Sequence, residues 1–302
     1  MSPNHPRRSA TPRVVALVAA VVLLAASTAA AQRGRGGRGA EPAVLRQAAQ
    51  LDLAGKTSEA RALYDAVLDT ISDPAARANV QRAEAMSYAF DGDCANTIRH
   101  EQMVIDYWTT REKAEPQNAF YQEGEMADEG ARVCIDAGDL DTAEKWYRLG
   151  YTLGNREPEP RTHSKSLWDY RLAHALGRIA ARRGDAAEAR AQIANARKAL
   201  DSDSAMAAQQ ERFFPYLVGY VALYTGNLKT AESEFQKMLA MRGNANDPFM
   251  NCLLAETYEK MGDQARADAL YQKAYDLARA HNPPAAYARR VARAKLGDKL
   301  GG

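Results

Sequence analysis

Leu254-Ala255-Glu256-Thr257-Tyr258-Glu259-Lys260-Met261-Gly262-Asp263, followed at intervals by Ala267, Tyr271 and Ala274, is the stretch from which the fold can be read. Leu254, Ala255 and Tyr258 recur at helical spacing and mark one buried face. Gly262 ends that helix, because a residue without a Cβ enters the left-handed region without strain. Asp263 then caps a second helix by accepting its orphan backbone N–H groups. Ala267 is small where the two helices must approach, and Tyr271 supplies a ring for the seam with the neighbouring unit. The reading is a helix pair folded back on itself.

The same order recurs upstream. It returns at Phe214 to Met238 with Gly219, Ala222, Gly226, Asn227, Ala231 and Phe235. Leu176, Gly177, Ala180, Gly184, Asp185, Ala189 and Ala196 form another copy, with Ile193 in place of the aromatic. Earlier copies carry Ala131, Gly138, Asp139, Ala143 and Tyr147, then Ala85, Tyr88, Gly92 and Asp93, where Thr97 stands in the place of the small alanine. The first carries Ala48, Leu51, Gly55, Ala60 and Tyr64, with Lys56 where a capping residue belongs and Thr57 as its substitute. This order resembles the tetratricopeptide repeat, a helix–turn–helix unit of about 34 residues.

The resemblance implies an all-α, right-handed α-solenoid of about six hairpins over residues 41–280, closed by a capping helix and tail over 281–302. Two-residue alternation of β-branched and polar residues is essentially absent, so no sheet is expected. The turn glycines stand at 55, 92, 138, 184, 226 and 262, spaced by 37, 46, 46, 42 and 36 residues. The excess over the family period falls around Thr109–Asn118, Asn155–Ser164 and Leu200–Ala207. In the last segment Asn282 caps a helix and Pro283 suits its first position. Tyr287 and Val291 share one face of that helix, and Arg289, Arg290 and Arg293 lie elsewhere.

Residues 1–31 form a separate element. Arg7, Arg8 and Arg13 precede an apolar run from Val14 to Ala26, and Ala29-Ala30-Ala31 follows as a cleavage site. This is the layout of a bacterial-type export signal, and the run is short against the roughly 20 residues of a membrane span. An uncleaved anchor is the alternative, favoured by the three arginines of the Arg/Gly-rich tether at 32–40. The expected location is therefore periplasmic or secreted. Three of the 40 basic residues lie in the signal and three in the tether, leaving 34 against 38 acidic residues in the array. A mildly acidic surface argues against nucleic acid as a partner.

No enzymatic motif is complete. Gly55-Lys56-Thr57 lacks the upstream glycine of a phosphate loop, His100-Glu101 lacks the second histidine of a zinc-protease helix, and no G-x-S-x-G or C-x-x-C occurs. No metal and no cofactor is called for, and the chain is expected not to be an enzyme. Cys94, Cys134 and Cys252 are an odd set. Cys94 opens the second helix of unit two and Cys134 lies in the first helix of unit three, elements that touch in the resembling family. They either pair in an oxidising compartment or remain two buried thiols.

The resemblance also implies that residues three and four apart on each first helix line the concave side. Unit three then offers Glu125, Asp128, Arg132 and Asp136, and unit six offers Phe249, Cys252, Glu256 and Glu259. The candidate binding residues are Arg171, His174, Arg178 and Arg182 of unit four beside Phe213, Tyr216, Tyr220 and Tyr224 of unit five. Arginine forks take carboxylates in charge-assisted bonds of about 1.5–3 kcal/mol each, and tyrosine offers contact area with few rotamers to freeze. The expected partner is a protein or peptide with acidic and apolar side chains or a free C-terminus. The alternative reading packs the tyrosines between helices and pairs the arginines with Asp128, Asp136 or Glu256. Pro215 either kinks the first helix of unit five or marks its start. The favoured function is a non-catalytic scaffold of the cell envelope. A binder of a small anionic solute and a membrane-anchored spacer are its rivals.

Overall fold

The computed structural model describes residues 43–300; the segments expected to be an export signal at 1–31 and a tether at 32–40 lie outside them. Every regular element among the described residues is helical, and twelve of the helices pair as six sequential hairpins. These are α1 Ala43–Ala54 with α2 Thr57–Leu68, α3 Pro74–Asp91 with α4 Cys94–Thr109, and α5 Pro116–Ala137 with α6 Leu140–Gly154. They continue as α7 Lys165–Arg182 with α8 Ala186–Ser202, then, after the short α9 Ser204–Gln210, α10 Phe214–Tyr224 with α11 Leu228–Ala240 and α12 Pro248–Lys260 with α13 Gln264–Leu277. A final helix, α14 Pro283–Leu296, ends the series. No helix among the described residues is long and apolar enough to cross a membrane.

The hairpin turns follow from the residues at them. All six turn glycines have φ between +72° and +90°. Asp93, Asp139, Asp185, Asn227 and Asp263 each accept a backbone N–H three residues on, satisfying one orphan donor of the second helix. Lys56 makes no such bond. Thr57 does not replace it, because its hydroxyl donates to Asp91 Oδ1 at 2.9 Å instead. Ala60, Ala143, Ala189, Ala231 and Ala267 are all fully buried at the hairpin contact. Thr97 occupies the same place in unit two, also fully buried, and is tolerated because its hydroxyl donates to the Asp93 carbonyl at 2.7 Å.

The extra residues of the middle units are divided between longer helices, α5 with 22 residues above all, and the connections. Between α6 and α7, the Arg161 guanidinium donates to the carbonyls of Gly154, Asn155, Glu157 and His163. Between α8 and α10 stand α9 and a single 3-10 turn, Glu211–Phe213. Pro215 lies in the first turn of α10 and so marks its start, which leaves Phe213 outside that helix.

The last helix departs from the picture of a cap with a solvated outer face. It packs on α12 and α13 as the next element of a stack should, and also on α3 and α5. Two of its arginines, Arg289 and Arg293, each donate to the Leu53 carbonyl at 2.7 Å. That carbonyl belongs to the last turn of α1, where helical partners run out and the dipole favours cations. Arg290 donates to the Asp136 carbonyl at 3.2 Å. In front of α14, His281 Nε2 lies 2.8 Å from the fully buried Asp52, which also accepts the Ser87 hydroxyl at 2.6 Å.

Cys94 and Cys134 form a disulfide with a Cα separation of 4.7 Å, and Cys252 is a buried free thiol. A structural disulfide belongs to an oxidising compartment. The bond closes a span of 40 residues, for which about 3–4 kcal/mol of stabilisation is expected. Non-reducing peptide mapping of the chain, purified with its thiols blocked, should recover the Cys94–Cys134 peptide pair, and C94S/C134S should melt several degrees lower. Two free alkylatable thiols at these positions would contradict it. At the α1 turn a Cβ on Gly55 would stand 2.4 Å from Arg293 Nη1 and the residue has φ +82°. Gly55→Ala should therefore cost about 1–3 kcal/mol in chemical denaturation; a neutral result would place α14 away from α1.

Candidate functional site

Side chains of the first helices of units three to six meet one another: Arg171 of α7 reaches Glu125 of α5, Arg178 of α7 reaches Tyr216 of α10, and Tyr216 meets Phe249 of α12. At the centre stands Arg178 on α7, only 3% exposed. Its Nη1 donates to the Tyr216 hydroxyl at 2.9 Å and its Nη2 to the Tyr147 hydroxyl at 2.8 Å, while Nε reaches the His174 carbonyl at 3.3 Å. The guanidinium is thus held by α6, α7 and α10 at once. Burial alone would lower its pKa; the flanking phenols of Tyr147, Tyr216 and Tyr220 raise it instead.

One turn further along α7, Arg182 donates to the Tyr220 hydroxyl at 3.3 Å and lies over the Tyr224 ring. The rings run on as a continuous series. Tyr216 meets Tyr220 edge-on with centroids 5.9 Å apart, Tyr220 meets Tyr224 at 4.6 Å, and Tyr216 meets Phe249 at 5.6 Å. Phe249 then meets Tyr287 of α14 at 4.8 Å, and the Tyr287 hydroxyl donates to Glu256. Such ring pairs contribute about 0.5–1.5 kcal/mol each beyond area burial.

The structure therefore brings together Arg178, Arg182, Tyr216, Tyr220 and Tyr224. His174 is beside them, 4.9 Å ring to ring from Tyr216, but its Nε2 has no partner. Burial, with the charge of Arg178, holds that imidazole neutral well below its usual pKa. Arg171 is set apart at the upper end of the stripe, paired with Glu125 at 2.6 Å and near Asp128 at 3.7 Å. Phe213 sits in the turn before α10, half-buried under the Arg212 guanidinium. Arg178, Tyr216 and Tyr220 are each under 5% exposed, so they position the wall, whereas Arg171, Arg182, Phe213 and Tyr224 keep some access to solvent.

Reading the first helices alone missed three members of this wall. Tyr147 comes from the second helix of unit three, where its place in the repeat assigns it to the seam with the neighbouring unit. Tyr287 and Arg290 come from α14, whose return to the early units has no local signal.

The carboxylates of the wall are unusual. Burial pushes Asp128 up to about 7, Asp136 to about 6 and Glu256 to about 7, against the opposing pull of the arginines at Asp128 and Asp136 and of the Tyr287 hydrogen bond at Glu256. Among the described residues, no group of three or more His, Cys, Asp or Glu is placed to hold a metal ion.

The family model of the tetratricopeptide repeat matches residues 250–281, which span α12 and α13. The chain carries a tetratricopeptide repeat. No curated protein matches it. A tetratricopeptide repeat is in general a protein-interaction unit, and no catalytic family matches the chain.

An acid whose folded pKa lies above its unfolded value stabilises fully below the unfolded pKa and loses that contribution as pH rises through the folded one. For Glu256 the window runs from its ordinary value of 4.5 to about 7. Glu256→Gln keeps an oxygen to accept from Tyr287 and removes the titration. It should therefore be more stable than the wild type at pH 8, by up to about 3 kcal/mol, and match it near pH 4. A variant that melts lower than the wild type at both values would show that the buried carboxylate is not raised.

Proposed function

We propose that the chain is an exported, non-catalytic interaction module of the cell envelope, whose inner wall between units three and six holds a partner protein or peptide with acidic and apolar side chains or a free C-terminus. The observation that carries this reading is the lattice around Arg178. Phenol hydroxyls from two helices and a backbone carbonyl hold this buried guanidinium in one orientation. Such a lattice pre-organises the accessible rim formed by Arg171, Arg182, Phe213 and Tyr224, which lowers the ordering cost of binding. His174, Tyr216 and Tyr220 act in the same way from behind the rim. Aromatic and arginine side chains are also the types that dominate binding energy at protein interfaces. The disulfide supports a place outside the cytoplasm, in keeping with the export signal read at residues 1–31.

The test uses two rim residues that bear no buried hydrogen bond of the lattice. Phe213→Ala with Tyr224→Ala should lower capture of the partner from envelope extract by about tenfold or more relative to the wild type, with helical content retained by circular dichroism. Equal capture by the two proteins, with the fold intact, would contradict the reading.

A further inference from the structure

We infer that the seat of α14 is a docking surface for a basic, small-faced helix of a partner protein, and that α14 is its resident occupant, an autoinhibitory contact that such a helix must displace. This goes beyond the rim of units four and five and does not depend on it.

A helix that only ends a stack needs to cover its predecessor. α14 does more: it packs on α12 and α13 and also on α3 and α5, and through Arg289 and Arg293 it reaches the Leu53 carbonyl of α1. The first helices of units one, two, three and six therefore all bear on it. Ala285, Ala286, Ala288 and Ala292 are each at most 1% exposed, and Ala286 shares one apolar cluster with Met86, Phe90 and Val133. Tyr287 is the aromatic anchor, 4.8 Å ring to ring from Phe249. Anchors on one helical face, set among several helices, are the means by which a groove reads a helix.

The polar half of the seat fixes the sign of the charge. Leu53 and Asp136 stand in the last turns of α1 and α5, where carbonyls lack helical partners and the dipole favours cations. Arg289 and Arg293 take the first carbonyl at 2.7 Å, and Arg290 takes the second at 3.2 Å. The turns beside them leave the room: a Cβ on Gly55 would clash with Arg293 Nη1, and one on Gly92 would press on Arg290 Nε at 3.0 Å. An acidic helix would bring carboxylates against these oxygens. The seat therefore selects a basic one.

The fit of α14 is incomplete, and that makes it displaceable. Between α3, α5 and α14 lies a cavity of about 10 Å³, lined among others by Ala89, Val133, Asp136, Ala286 and Arg290. The Arg290 Nε–H is buried against no acceptor, and an orphan donor of this kind weakens the contact that buries it. Alanines also bury little apolar area each. The connection at 278–282 is not helical, with Arg279 and Ala280 exposed, so α14 can leave the seat while α13 stays folded.

The experiment uses the full chain and, as probe, a fluorescent peptide of residues 279–300. Arg289→Ala/Arg293→Ala removes both bonds to the Leu53 carbonyl and loosens α14. This variant, with its helical content and Cys94–Cys134 bond retained, should bind the peptide. The wild type should bind it at least about tenfold more weakly, because its own α14 competes at an effective concentration of about a millimolar. A peptide carrying Arg289→Ala and Arg293→Ala should not bind the variant. No binding by the folded variant, equal binding by wild type and variant, or equal binding of the two peptides overturns the inference. A variant that runs as a dimer without peptide overturns the partner protein in favour of α14 exchanged between two copies. Should the variant fail to fold, hydrogen exchange on the wild type decides. A heavy-isotope peptide in excess over that effective concentration should then speed exchange in the chain's own α14 while α12 stays protected, and an unchanged α14 overturns the inference.

Discussion

Two guanidiniums from the last helix converge on one carbonyl at the end of the first, and the interior of the array depends on that closure. The Leu53 carbonyl lies in the last turn of α1, where helical partners run out, and Arg289 and Arg293 of α14 both donate to it. Behind them, His281 meets a carboxylate, Asp52, that is fully buried and already tied to Ser87. Breaking one partner of such a pair costs more than the pair contributes, because it leaves a buried charge without an answer. With α14 held there, Ala286 packs with Met86, Ala89 and Phe90 of α3 and Val133 of α5 in one apolar cluster. On the other side Tyr287 completes the ring series and bonds Glu256.

Closure explains the electrostatics of the wall. Asp128, Asp136 and Glu256 are driven toward neutrality chiefly by loss of water, and the guanidiniums among them do not restore the ordinary value. Arg178 stays charged in the same surroundings because two phenol oxygens and a carbonyl replace its hydration. Polar groups so placed specify one arrangement of three helices, and a ligand entering the wall meets donors that need no rearrangement.

The helix pairs were legible in the sequence because each is a local event. Gly262 and Asp263 act on the backbone within a turn of themselves, and the same pair at Gly138 and Asp139 or Gly184 and Asp185 acts in the same way. The candidate stripes were legible for the same reason, since positions three and four apart share a face whatever lies opposite. What lies opposite was not legible. Whether Tyr216 meets solvent or the Arg178 guanidinium depends on the crossing of α7 and α10, which spacing alone does not set. Thr57 looked like a cap, yet a carboxylate 34 residues away takes its hydroxyl. The three arginines of α14 could be placed only away from the Tyr287–Val291 face, and their acceptors, the carbonyls of Leu53, Ala278 and Asp136, are mostly remote in sequence. The pairing of Cys94 with Cys134 stood between these cases: the repeat order brought the two helices together, and only the structure brought the two sulfurs within bonding distance.

Hydrogen exchange followed by mass spectrometry on the full chain tests the closure most directly, because protection reports the free energy of opening segment by segment. Amides of α14, Pro283–Leu296, should be protected to the same degree as those of α12, Pro248–Lys260. Arg293→Ala should loosen α14 together with the end of α1. Exchange of α14 at the rate of an unstructured peptide, while α12 remains protected, would contradict the closed array and the buried wall that depends on it.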